Sequence, residues 1–431
     1  MIGAAVSCAC GGPRGAGDAG TRDTGYPTDH GAVADSAAID AASVDVATER
    51  DALMGSDVAT DGDAGRSGSG GVPTPESIAG RPIVGRIDLS GEGGSTHVIE
   101  SVHVVNHDGP CIVLNNVHDV TIINSEIGPC GDSSNHTGDV GIDVVGGSTR
   151  ITIRQNVIHD ASDLIEGNDV RGPVSVDRNL FYNIRGTSWE ASAIQFAESR
   201  NHAGPITITC NVIDDRLVES HPMAGGRQRR NEDHISMYNS GGTAAYPLEI
   251  AYNRIRGALD GWGGISGSGM QLGDSPAGGG NPGSNTPGYI YTHHNIVYWT
   301  NGSGISYAGG TAGNRVEYNM VDNRGTGPGP SASVGGNQVL GQGTSDTGWH
   351  YGLHKYDATS SMEISYQGNL GVASLWAYDN DGHLGPPASS VFSAAGVVVH
   401  DLGGNDFQHT AFGTTLGVDT IWDLPVAPPC L

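Results

Sequence analysis

Glu232, Asp233 and His234 stand side by side, directly behind the densest basic group of the chain, Arg227, Arg229 and Arg230. Carboxyls beside imidazole and guanidinium groups are the usual material of acid–base chemistry. Asp274 follows at the end of the next strand-like segment, GMQLG. A second candidate pair is Asp143 and Glu166, in the like segments GIDVV and LIEGN. On adjacent strands their backbones would lie about 4.8 Å apart. Like charges that close raise one pKa or recruit a cation such as Ca2+. A raised carboxyl is what a general acid needs, and the carboxyl spacing separates retaining from inverting glycosidases. The plainer reading is two solvated acids on an acidic protein. Gln195, His234, Tyr238 and Gln271 fall on the same outward strip by alternation, with Trp262, Arg227 and Arg230 near it. These side chain types hold sugar rings. Equally, Arg227 to Asp233 can be a surface ion-pair cluster that folds an insertion down.

The elements that would position these residues are repeats. ITIRQNVI from Ile151 returns as VSVDRNLF from Val174, ITITCNVI from Ile206, LEIAYNRI from Leu248 and NRVEYNMV from Asn314, with looser copies VTIINSEI and IYTHHNIV. Each begins with the two-residue period of a strand. Asn156, Asn179, Asn211, Asn253, Asn295 and Asn319 share one slot, and Ser125 fills it in the first copy. A one-strand unit recurring at about 20–45 residues marks a solenoid. A second strand signal follows each copy, so the spacing predicts two strands per coil and parallel stacking. Ile142, Ile165, Ile194, Ile235, Met270 and Ile305 form the expected inward row. The Asn side chains should bond along the axis in a tight bend, and Asn tolerates the left-handed backbone such bends need. The fold class is all-β: a single-stranded parallel β-helix. Insertions before His234 and from Asp274 to Pro287 flank the strip and would wall a groove.

The first 75 residues are Asp-, Ala- and Gly-rich with almost no aromatics, which reads as a disordered tether. The β-helix domain would span 76–431, starting its first coil near Arg81 and closing with a cap from about 389. AVSCAC resembles the end of a bacterial lipoprotein signal, which implies a lipid anchor at Cys8 as the sole membrane attachment; an incidental Cys-Ala-Cys is the plainer reading. The expectation is an exported monomer at the outer membrane surface or outside the cell. Cys111 and Cys130 lie about one short coil apart and should form a disulfide. Cys210 and Cys430 are left without an assigned partner. No Cys or His spacing reads as a zinc site. The net charge is −26 and Lys355 is the one lysine. That disfavours nucleic acid, which needs clustered Lys and Arg, and an anionic sugar would need a calcium bridge.

The Asn slot, the coil length and the paired strands resemble the right-handed parallel β-helix repeat proteins, the pectate-lyase-like superfamily, over about residues 81–380. GPCI, ITCN, NEDHISMYNSGGT and GSGMQLGD resemble a subset of exported bacterial β-helix proteins. The resemblance implies a carbohydrate-active protein that binds and cleaves a polysaccharide, as lyase or glycoside hydrolase. A non-catalytic glycan- or matrix-binding surface module is the alternative it also implies. The NTD, GHG and RIK signatures of polygalacturonases are absent. The superfamily's lyases use an Arg or Lys base opposite calcium-binding acids, which would point to the Arg227–Arg230 group.

Overall fold

The computed structural model describes residues 71–91, 96–131, 139–185, 191–199, 203–215, 230–257, 265–274, 288–298, 303–307, 313–322, 351–355, 362–372, 375–376, 397–402, 406–409, 422 and 424–430. All strand pairings are parallel, and they build three sheets of 11, 10 and 10 strands. The first sheet opens with Ile83–Val84, the second with Ile87–Ser90 and the third with His97–Glu100. A single coil runs through Thr149–Arg154 in the third sheet, Val157–His159 in the first and Asp163–Asn168 in the second. Each strand then pairs with its counterpart one coil on. This is a parallel β-helix. The expected two strands per coil become three, because the Asn bend splits each repeat: ITIR lies before it and VIH after it.

The Asn column forms as expected. Asn156, Asn179, Asn211, Asn253, Asn295, Asn319 and Asn369 are all buried. From Asn156 to Asn319 each amide nitrogen donates to the next amide oxygen at 2.9–3.1 Å. Each also donates to a backbone carbonyl of the preceding coil, as Asn211 does to Val176 at 2.9 Å. Ser125 starts the column, its N–H donating to Asn156 Oδ1 at 3.0 Å. One detail is corrected. The left-handed residue is the one before each ladder position: Asn124, Gln155, Arg178, Cys210, Tyr252, His294 and Tyr318, with φ of 52–58°. The ladder Asn is therefore selected for its amide, which satisfies donors and acceptors that a buried bend would otherwise strand. A second bend uses serine in the same way. Val170 N–H donates to Ser199 Oγ at 3.0 Å, and Ser199 N–H to Ser240 Oγ at 2.9 Å.

The interior is rows of aliphatic side chains. Ile142, Ile165, Ile194, Ile235, Met270 and Ile305 stack in register, none of them exposed. Each such side chain contributes about 1.5–3 kcal/mol by leaving water. Because every coil buries its face only against its neighbours, the stack needs no separate core.

The ends return along the outside. A short helix, Pro75–Ile78, carries a Thr74 capping box and buries Ile78 with Val157, Leu180 and Tyr182. Val397–Asp401 and Asp406–His409 occupy the expected cap but add further rungs to the third and first sheets. The last residues lie back on earlier coils. Cys430 is bonded to Cys210 with Cα atoms 5.3 Å apart, and Trp422 stacks on the Arg254 and Arg256 guanidiniums. Cys111 and Cys130 form the expected disulfide, Cα atoms 5.4 Å apart. Among the described residues no helix is long and apolar enough to cross a membrane. The proposed tether and Cys8 lie outside the described residues.

Candidate functional site on the second sheet

Alternation along the second sheet turns one row outward, and the register aligns it as Asp143, Glu166, Gln195, Ser236 and Gln271, with Ser306 next in the row. Asp143 and Glu166 are thus adjacent rungs, about 4.8 Å apart at the backbone. Both are half-buried, as is Gln195. Burial pushes the Asp143 carboxyl above the ordinary aspartate value, with only partial opposition from the Arg86 charge. Further along, Ser236 and Gln271 face outward yet are only 8% and 5% exposed. The buried Gln271 amide nitrogen has no hydrogen-bond partner among the described residues.

The next outward row runs Asn168, Ala197 and Tyr238. Strict alternation puts Gly273 opposite Tyr238. Instead the register slips there, with Gly273 at φ 66°, and Asp274 becomes Tyr238's partner. Glycine takes that left-handed conformation without steric cost. The bulge therefore delivers an acid to the rung beside a tyrosine.

Two of the expected site residues, His234 of the strip and Asp233 beside it, are buried at a corner. His234 has no exposed surface and does not share the outward face. It lies where the first sheet turns into the second, its Nε2 on Asp215 Oδ2 and its Nδ1 on the Ser268 carbonyl, both at 2.9 Å. Burial works against the imidazolium, but the Asp215 charge and hydrogen bond outweigh it and raise the His234 pKa. Asp233 is 7% exposed and its Oδ1 accepts the Ser268 N–H at 3.1 Å. Asp163 does the same for Ser192, at 2.9 Å. These are two copies of one device tying a strand to the next coil. A two-residue alternation could not see it, because at this corner Leu164 and Ile165 are both in the core.

Arg230, Glu232 and Asp274 lie on described strands, but their side chains are outside the description. Arg227 and Trp262 lie outside the described residues, as do residues 216–229 and 275–287 of the two insertions expected to wall a groove.

Sequence reasoning missed a further constellation on the first sheet: His103, Glu126 and His159, whose ligand atoms all lie within 4.8 Å of one another. They come from three coils, so no short spacing marks them. The usable signal was coil length, since His103 and Glu126 are one coil apart and register partners. Seeing it required the third strand per coil.

No protein family matches the chain, and no curated protein does. Among solved structures, two of the catalytic domain of a GH87 alpha-1,3-glucanase variant, each in complex with tetrasaccharides, are similar to it. One is 10% identical over 77% of this chain and 66% of that chain, with a TM-score of 0.34. The other is 10% identical over 76% and 64%, with a TM-score of 0.31. The chain spans less than two thirds of the length of either.

Proposed function

We propose that this is an exported carbohydrate-active β-helix protein that binds and cleaves a polysaccharide along the outward row of the second sheet. The supporting observation is the register itself: two carboxyls on adjacent rungs, one of them raised by burial, continuing into a line of hydrogen-bonding side chains. A flat polar strip suits a chain of repeated hydroxyl-bearing units better than a compact small molecule. In this reading Asp143, its pKa raised by burial, is the acid and Glu166 its partner. Rungs about 4.8 Å apart at the backbone can bring two carboxyls to the roughly 5–5.5 Å of a retaining glycoside hydrolase. Gln195, Tyr238 and Gln271 hold the sugar rings, and Asp274 flanks them. Asp233 and His234, fixed inside the corner, position the strand. The two disulfides fit an oxidising compartment. Cys8 would carry a lipid anchor outside the cytosol.

The test is a panel of neutral and acidic polysaccharides, with and without Ca2+. New reducing ends report hydrolysis, and an ultraviolet-absorbing double bond reports elimination. Asp143→Asn and Glu166→Gln should each lower kcat by about 10²–10⁴, the usual worth of a positioned acid or base. Turnover that survives both substitutions removes the assignment. Binding without turnover on any substrate makes the protein a non-catalytic glycan-binding module. Absence of both discards the carbohydrate reading.

A further inference from the structure

The first sheet carries a group of side chains that the proposed reaction does not use. His103 begins the strand His103–Asn106, Glu126 begins Glu126–Cys130, and His159 ends Val157–His159. These are three successive coils. Both histidines have one ring nitrogen committed elsewhere. His103 Nε2 lies 2.7 Å from the Gly128 carbonyl oxygen. That oxygen can only accept, so Nε2 donates to it and Nδ1 is the nitrogen turned toward Glu126. His159 Nδ1 lies 2.6 Å from Asp160 Oδ2. Its Nε2 faces Glu126 Oε1, at 3.3 Å. The carboxylate thus meets two imidazole nitrogens, His103 Nδ1 at 3.7 Å and His159 Nε2 at 3.3 Å. Burial opposes the His159 cation, but the Asp160 and Glu126 carboxylates raise its pKa to about 9, so a proton holds this cluster together and a metal ion can take that proton's place.

We propose that His103 Nδ1, Glu126 and His159 Nε2 form a binding site for one divalent transition-metal ion of the zinc class. Ligands about 2.1 Å from a tetrahedral ion are about 3.4 Å apart. Each imidazole lies near that distance from its own Glu126 oxygen, and one ligand atom from each of the three residues falls within 4.8 Å of the others. The donor set is two imidazoles and one carboxylate, which zinc-class ions take, whereas Ca2+ and Mg2+ require shells of oxygen.

The surroundings are those of a built site. Metal-bound histidines characteristically donate their second N–H to a carboxylate or a backbone carbonyl. Asp160 and Gly128 fill those two places. Asp160 is itself held by Asn183 Nδ2 at 2.5 Å and by the Arg185 guanidinium at 3.4 Å. Tyr182 stacks on His159 with ring centroids 4.8 Å apart, which fixes the plane of the imidazole. Gly128 matters because a Cβ there would stand 1.9 Å from the His159 carbonyl oxygen. Its absence lets the two coils approach closely enough for the ligands to meet. His159 is 4% exposed, but His103 and Glu126 keep 21% and 20% of their surface. An ion here would be reached from solvent on one side, leaving a position for water or an exogenous ligand.

The experiment uses the full-length chain without a histidine tag, stripped with a chelator and titrated with Co2+ and Zn2+. Calorimetry gives stoichiometry, and the visible Co2+ absorption reports imidazole ligation. The chain has 17 histidines, so the difference between variants decides. The wild-type protein should bind one equivalent that His103→Ala and Glu126→Gln both lose. Asp160→Asn should keep that equivalent but bind it about 10- to 100-fold more weakly. Excess Ca2+ or Mg2+ should not displace the ion. If His103→Ala fails to fold, Glu126→Gln, nearly isosteric with the native residue, decides alone. Equal binding by wild type and variants, or no binding by wild type, overturns the site and leaves a cluster closed by protons.

Discussion

The Asn column should tolerate no interruption, and Asn211 is the place to test this. Its amide makes four bonds in a fully buried bend. It donates to the Val176 carbonyl at 2.9 Å and to Asn253 Oδ1 at 3.0 Å. Its Oδ1 accepts the backbone N–H and the side-chain amide of Asn179, both at 3.0 Å. Asn211→Ala deletes all four. The Asn179 side chain keeps its bond to the Ile153 carbonyl at 2.9 Å. The Asn179 backbone N–H loses its acceptor. A stranded buried donor costs about 1–3 kcal/mol, and each of the three other bonds about 0.5–1.5 kcal/mol, so the total is about 3–7 kcal/mol. Guanidinium unfolding at fixed slope measures it, and Thr207→Ala, half-buried on the third sheet, is the control with little expected effect. Asn211→Asp keeps the acceptors but turns a carboxylate toward the Val176 carbonyl and Asn253 Oδ1. Burial raises such an acid's folded pKa, so the lost stability should return as the pH falls and the acid regains a donor. A cost below about 1 kcal/mol for Asn211→Ala would refute the argument that the amide, and not the bend, selects asparagine.

Other substitutions probe the corner, the tail and the core. His234→Gln should destabilise by about 3–5 kcal/mol, because it removes the imidazolium that pairs with the buried Asp215 carboxylate. The His234 pKa is raised in the folded protein. Its contribution is therefore complete below about pH 6.5, the unfolded value, and is lost as the pH rises through the folded one. The gap between wild type and variant, followed by denaturation across pH, should narrow on the alkaline side; a gap that widens there contradicts the ion pair. Cys430→Ser opens the Cys210–Cys430 link, which spans 220 residues. By chain entropy that link is worth about 5 kcal/mol, so the variant should melt lower and lose its C-terminal residues first to limited proteolysis. Gly167→Ala puts a Cβ 2.4 Å from the Phe196 ring and should cost about 1–3 kcal/mol in thermal unfolding, with Phe196→Leu restoring part of it.

The sequence by itself determined the winding. Apolar alternation and the asparagine slot recur at fixed positions, and hydrogen bonding between like residues on successive coils is a local rule, so repeats predict neighbours. It therefore set the inward row from Ile142 to Ile305 and the adjacency of Asp143 and Glu166. The Cys111–Cys130 bond was legible for the same reason. Only the tertiary structure decided what happens where alternation breaks. Leu164 and Ile165 both turn inward, so His234, counted outward, is buried on Asp215. A left-handed glycine at position 273 moves Asp274 into Gly273's expected place. The first sheet was hidden inside the repeat itself, and with it the meeting of His103, Glu126 and His159. Periodicity reports the average conformation of a strand, whereas bends and bulges depend on which atoms the next coil presents.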